Sequence, residues 1–357
     1  MKRYNGLYGQ ICSFENLVAA AYRARRGKRW RRDVAAFHFH QEAELHQLHQ
    51  ELLEKEYQPG EYRSFWIRDP KRRLISAAPY RDRIVHHALC GVIEPIFERG
   101  FIHASFANRT GKGTHKALDL ATELARRNKY VLKCDIEKYF PSIDHEILLE
   151  RIARKIKCRD TQWLIERIVA NSNAQEEIVR YFPGDDLFRP LERRRGIPIG
   201  NLTSQFFANV YLDGFDHFVK ERLGCANYVR FADDFLVFSD DKGWLTALPD
   251  RMREALDGLR LSMHPRKCQV MPVSRGVPFL GWQVFADHRR LRRTTGVRIQ
   301  RGLKELVEEH RRGAIGFNRV QASVQSWIGH LQHGDTWGLR RRLFAGAVFG
   351  PERRLEA

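Results

Sequence analysis

Tyr228-Val229-Arg230-Phe231-Ala232-Asp233-Asp234-Phe235-Leu236-Val237-Phe238-Ser239 sets two short runs rich in β-branched and aromatic residues on either side of a small residue and two aspartates. The pattern predicts a hairpin with carboxylates at its tip. Buried strands on both sides make such a tip rigid, and adjacent acids on it repel one another unless a divalent cation neutralises them. Asp is also an ordinary turn former, so the pair alone does not decide between metal and turn chemistry. Asp185-Asp186, in Pro183-Gly184-Asp185-Asp186, has no strand behind it and reads as a loop. What sets the first pair apart is a distant acid in a similar setting, Asp135 in Tyr130-Val131-Leu132-Lys133-Cys134-Asp135-Ile136-Glu137-Lys138-Tyr139-Phe140. Acids carried by separate strands and brought together can make a two-metal site, with ions about 4 Å apart acting on an attacking and a leaving oxygen.

Composition narrows the class. The chain has 357 residues, 43% of them hydrophobic, with 7 Trp, which is enough for a large core and two or three subdomains. Lys and Arg total 62 against 43 acids, a formal charge of +19. Solubility needs far less charge of one sign, so a polyanionic partner is expected, bound through its phosphates. Cys12, Cys90, Cys134, Cys158, Cys225 and Cys268 are scattered with no Cys-x-x-Cys spacing. Neither a zinc site nor a disulfide framework is indicated, and a reduced, cytosolic compartment fits. No apolar run approaches a membrane span, and no signal-peptide core is present.

The acid-bearing strand followed by an aromatic, then an x-Ala-Asp-Asp hairpin, resembles a reverse transcriptase, and the family's other motifs follow in its order over nearly the whole chain. The resemblance implies an α+β right-hand polymerase of fingers, palm and thumb with a helical N-terminal extension. The expected divisions are 1–60 for the extension, 61–130 for the fingers, 131–288 for the palm, with part of the fingers returning near 160–200, and 289–357 for the thumb. It assigns metal binding to Asp135, Ile136, Asp233 and Asp234, the last in a supporting role, with two Mg²⁺ or Mn²⁺ ions.

In the extension, Ser13 is placed to cap a helix through Phe14, Leu17, Val18 and Tyr22, and Asp33 a second helix running toward Tyr57. Between them Arg23 to Arg32 is a basic segment, either a phosphate contact or a solvated linker. His38, His40, His46 and His49 miss the spacing of a helical zinc site and read as helix surface. A basic strand pair follows, Arg63–Arg68 and Lys71–Ala77 around a turn at Asp69-Pro70. It resembles the fingers of group II intron-like reverse transcriptases, whose basic positions match Arg73, Arg81, Asp82 and Arg83. Arg73 and Arg81 are the matches for the triphosphate clamp, while Asp82 and Arg83 are read as pairing to brace the fold. Arg109 and Lys112, in Arg109-Thr110-Gly111-Lys112, match a turn lying by the template. Phe140 takes the position that abuts the nucleotide sugar, implying deoxynucleotide preference, with Tyr139 as core. Asp144 is placed to cap the next helix. Lys267 is read either as proton donor to pyrophosphate or as a surface lysine. Gly276-Val277-Pro278-Phe279-Leu280-Gly281-Trp282 matches the primer-grip turn through Phe279, Leu280 and Gly281. At Phe231 the ring is kept where Tyr is usual, which puts a primer-backbone hydrogen bond in doubt. Helices dominate from Arg289 onward, forming a basic thumb.

Gly196-Ile197-Pro198-Ile199-Gly200-Asn201-Leu202-Thr203-Ser204-Gln205 points to a subfamily. Most reverse transcriptases carry Gln where Ile199 stands and Ser-Pro where Ser204-Gln205 stand; Ile199, Gly200 and Gln205 resemble instead the enzymes of diversity-generating retroelements. A branched hydrocarbon there replaces an amide near the nascent pair, and about 1–3 kcal/mol lost at that contact costs one to two powers of ten in accuracy. The resemblance implies errors at template adenines and a small basic, pentameric helical-bundle partner, besides the RNA template, the RNA–cDNA duplex and dNTP. A thumb reaching almost to the last residue is expected to leave no room for an appended RNase H or endonuclease. Antiphage-defence or intron-like reverse transcriptases share every catalytic motif. A non-catalytic RNA-binding scaffold would explain the charge but not the three retained acids.

Overall fold

The computed structural model describes residues 2–68, 72–173, 176 and 178–345. Four helices open the chain, Tyr8–Cys12, Phe14–Ala24, Arg32–Phe39 and Gln41–Leu53. Ser13 caps the second as expected, its Oγ accepting from the Asn16 amide at 3.3 Å. The single helix expected from Asp33 toward Tyr57 is instead two, broken at His40. Asp33 lies inside the first turn rather than at the cap, where its charge still favours the positive end of the helix. His38 bonds Gln41 and the Tyr80 hydroxyl at 2.6 and 2.7 Å across the break, so this histidine is packing rather than surface.

Strands β1 (Arg63–Ile67) and β2 (Arg73–Ala77) form the expected hairpin, with Arg63 opposite Ala77 and Ile67 opposite Arg73. The turn read at Asp69-Pro70, and Lys71 after it, lie outside the described residues. Helix Tyr80–Glu98 then runs through the core, receiving Phe14–Ala24 on one flank and Leu202–His217 on another. Leu202–His217 is enclosed on most sides: eleven of its sixteen residues are buried, Asn209 and Asp216 among them.

The central sheet contains β3 (Tyr130–Asp135), β4 (Tyr228–Phe231), β5 (Asp234–Ser239) and β6 (Gln269–Pro272), in the order β4-β5-β3-β6 and antiparallel throughout. Phe235 to Phe238 are all buried, which requires cover on both faces of the sheet. The outer edge of β4 is closed by a segment in which Phe106 donates to the Arg230 carbonyl and Arg230 to that of Ala104. β7 (Val277–Phe279), β8 (Trp282–Val284) and β9 (Arg289–Leu291) make a small antiparallel sheet. Helices begin at Arg293 rather than at Arg289, because Arg289–Leu291 is taken up by pairing with β8. Arg293–Arg311, Phe317–Leu331 and Trp337–Ala345 complete the described chain. Among the described residues no helix is long and apolar enough to cross a membrane. The architecture is a mixed α and β fold with a helical N-terminal region and central sheets.

Candidate active site

Backbone pairing brings the acids together. β3 and β5 align Asp135 opposite Asp234, and the Ile136 amide donates to the Asp233 carbonyl at 3.0 Å, so two chain segments distant in sequence end at one place. Burial, then the charge of Asp135, raises the carboxyl of Asp233 above its ordinary value. Asp135 meets the Lys267 ammonium at 2.6 Å. Asp234 has a different lysine: Oδ2 meets Lys133 Nζ at 2.8 Å, while Oδ1 is buried with no partner. Burial pushes its carboxyl up to about 6, against the lowering pull of Lys133.

The donor set suits a hard divalent cation. Carboxylate oxygens and a strand-end carbonyl are the ligands Mg²⁺ and Mn²⁺ take, an orphaned oxygen remains on Asp234, and lysine ammoniums now supply the countercharge. As the side chains stand, no three His, Cys, Asp or Glu among the described residues converge closely enough to hold an ion.

The tip is braced from below by residues that sequence reading passed over. Ala232 sits at φ +56°, a left-handed conformation that side chains rarely adopt. Its carbonyl accepts from Arg230 Nη1 at 3.0 Å, and Arg230 in turn is held by Asp216 through two contacts of 2.6 Å. Arg230 and Asp216 are 1% and 2% exposed, so this is a buried ion pair under the turn. Tyr228 donates to the same Asp216 at 2.9 Å. A charged residue inside a buried strand was the available signal. Lys133, on the same strand as Asp135, was the second omission.

Beside the carboxylates lies a groove of about 410 Å³ lined by Trp66, Arg72, Arg73, Leu74, Pro141, Glu176 and Ile199. Arg73 is exposed, and its charge is felt at Asp233. Arg72 stacks on Trp66, 4.1 Å from the ring centre. The Gly196–Gln205 segment is laced to this hairpin: Ser76 donates to the Ile199 carbonyl at 3.0 Å, and the Asn201 side chain bridges Ser76 and Ala78. Gly200 is required here, since its φ is +119° and a Cβ would lie 3.0 Å from Ile75. Gln205, half-buried, sits in the first turn of the following helix. Phe140 is half-buried, its carbonyl accepting from Ile197, and Tyr139 is core, as expected.

Other expected contacts are committed elsewhere. Arg81 pairs with Glu51 of the N-terminal helices and stacks on Tyr57. Asp82 and Arg83 do not pair with each other: Asp82 accepts from Tyr57 and Gly60, and Arg83 donates to the Ala78 carbonyl. Each braces the fold separately. Arg109 is buried on Glu98 and on the carbonyls of Ile102 and Ser105, which leaves its guanidinium no face toward a template. Lys112 donates to the His103 carbonyl and is half-exposed. Asp185 and Asp186 serve loop chemistry, accepting amides from Phe182, Phe188 and Arg189. Phe231 is half-buried, pairing with Asp234 across the hairpin. Phe279 is fully buried, and Leu280 and Gly281 form the turn between β7 and β8 at φ +46° and +86°. Lys133 donates to the Pro278 carbonyl at 2.8 Å, tying that turn to Asp234.

The chain is 26% identical over 287 residues to Protein YkfC of Escherichia coli (strain K12), covering 69% of this chain and 72% of that one. It is 30% identical over 150 residues to an uncharacterized 91 kDa protein in the cob intron of Schizosaccharomyces pombe, covering 42% and 17%. It is 24% identical over 183 residues to the group II intron-encoded protein LtrA of Lactococcus lactis subsp. cremoris, covering 50% and 29%. The chain thus spans most of the first relative and under a third of the other two. A family model described as reverse transcriptase (RNA-dependent DNA polymerase) matches residues 67–284, the stretch that carries β3, the β4–β5 hairpin and all of the groove's lining but Trp66, and the chain belongs to that family.

Proposed function

We propose that the chain is an RNA-directed DNA polymerase of the group II intron-like kind, extending a DNA primer along an RNA template. The observation that carries this is the register of Asp135 against Asp234, which delivers Asp135 and Asp233 to one rigid tip beside a basic groove. The intron-encoded relatives favour the intron-like reading over that of a diversity-generating retroelement. In this reading the β1–β2 hairpin serves as fingers, the central sheet as palm and the C-terminal helices as thumb.

Asp135 and Asp233, with the Ile136 carbonyl, would hold divalent ions that activate the primer 3′-hydroxyl and stabilise the leaving oxygen. With Asp135 engaged by such ions, the Lys267 ammonium that now pairs with it would be placed to protonate pyrophosphate. Arg73 meets the triphosphate, and Phe140 packs against the sugar, excluding a 2′-hydroxyl. The Leu280-Gly281 turn, fixed by Lys133, supports the primer strand. Primer extension with Mg²⁺ tests the reading: the native chain should make full-length cDNA, and Asp233→Ala, still folded by circular dichroism, should fall to background. Full activity in Asp233→Ala would overturn it.

Ile199 carries a second reading, that of the mutagenic retroelement enzyme with its basic accessory protein. Its side chain lines the groove where an amide would otherwise stand. Sequencing of cDNA from a defined template should then give errors concentrated at adenines, reduced in Ile199→Gln. Uniformly accurate cDNA from the native chain would leave the intron-like reading alone.

A further inference from the structure

Two thiols lie against each other one residue from the catalytic groups. Cys134 Sγ and Cys268 Sγ are 2.9 Å apart. Cys134 precedes Asp135 on β3, and Cys268 follows Lys267 immediately ahead of β6. The pairing of the two strands, Tyr130 with Pro272 through Lys133 with Gln269, puts Cys134 directly opposite Cys268 in the next step of the register. This is cross-strand apposition, not a chance approach of two flexible side chains.

Their exposures differ in a useful way. Cys134 is fully buried, whereas Cys268 is partly exposed at the sheet edge. An oxidant from solvent reaches Cys268 first, and the sulfur behind it is already in place. Both cysteines are free in the structure, the state a reducing compartment maintains. Disulfides in such compartments, when they form, are transient and redox-sensing rather than structural.

We infer that Cys134 and Cys268 are a peroxide-oxidisable pair whose disulfide reversibly switches off the active site. Cys268, as thiolate, attacks a peroxide oxygen; the O–O bond breaks, water leaves after protonation, and the sulfur becomes a sulfenic acid. Cys134 then attacks that sulfur, the S–S bond forms, and a second water departs. Two thiols lose two electrons and two protons in all, and one hydrogen peroxide becomes two waters. A disulfide holds its sulfurs at about 2.05 Å, closer than the present contact, and so draws the two strand ends together. The residues displaced are the immediate neighbours, Asp135 and Lys267, which now form an ion pair at 2.6 Å. The consequence for catalysis rests on the polymerase reading; the bond itself does not.

The test treats the full-length reduced protein with hydrogen peroxide, maps peptides without reduction, and follows primer extension before and after dithiothreitol. A Cys134–Cys268 linked peptide, with extension falling at least tenfold and recovering on reduction, is the expected result. Cys268→Ala should extend normally and lose its peroxide sensitivity; Cys134→Ser, if it folds, should stop at an oxidised Cys268 with no link. Oxidation of Cys268 to sulfinic acid in the native chain without any link would overturn the pairing. A link that leaves extension unchanged would overturn the switch. If the reduced protein makes no cDNA at all, the polymerase reading and the switch fail together, and the peptide map still decides whether the pair forms.

Discussion

Asp234 has one oxygen on Lys133 and the other buried without a partner, and that imbalance gives the metal-free protein a definite pH response. Burial lifts the carboxyl from 3.8 to about 6, so between those values the folded chain binds more of the proton than the unfolded one. The stabilisation is fully present below the lower value and lost as pH rises through the upper one. Its full extent is about 3 kcal/mol, since each pKa unit is worth about 1.4 kcal/mol. In chelator-treated protein, Asp234→Asn should therefore remove part of the fall in melting temperature between pH 4 and pH 7. Parallel pH profiles for the two proteins would show that Asp234 is not the group responsible. The resemblance gives Asp234 a supporting role, but its lysine partner is unreadable from the string: Lys133 lies about a hundred residues upstream and comes within reach only when β3 pairs with β5.

The hairpin of β4 and β5 depends on a buried ion pair that neither strand advertises. Arg230 neutralises Asp216 through Nε and Nη2, reaches the Ala232 carbonyl at the strained turn through Nη1, and shares Nη2 with the Ser105 hydroxyl at 3.0 Å. Removing one partner leaves the other charged and buried, a loss of about 3–5 kcal/mol. Arg230→Met should lower the urea midpoint accordingly, and adding Asp216→Leu should restore much of it. Equal destabilisation in the single and double variants would refute the pairing. The hairpin, the strand ending at Asp135 and the caps at Ser13 and Asp144 were legible because each rests on local pattern. Arg109, Arg81 and Arg230 were not, because an arginine in a string looks alike whether it meets phosphate or a carboxylate from another segment. Arg289–Leu291 reads as helix surface until β8 pairs with it.

At the scale of the molecule, +19 formal charges need a counterpart, and the fold shows where one can lie. Between the N-terminal helices and the β1–β2 hairpin runs a second groove, of about 710 Å³, lined by Arg31, Arg32, Arg63 and Arg83 with only Asp33 and Glu61 against them. Lys28 nearby has its ammonium held below the usual range, by burial first and then by Arg83 and Arg31. Crowded cations of this kind are relieved by phosphates, and the release of counterions makes that relief steeply salt-dependent. Binding of single-stranded RNA should weaken linearly with log salt, by about 0.7 in slope for every phosphate neutralised. Arg31→Ala with Arg32→Ala should make the slope shallower by roughly 1.4 if each meets one phosphate, while leaving primer extension on a short duplex intact. An unchanged slope would take this groove out of the RNA path and leave the charge to the C-terminal helices, where Arg293 and Arg301 offer the alternative surface.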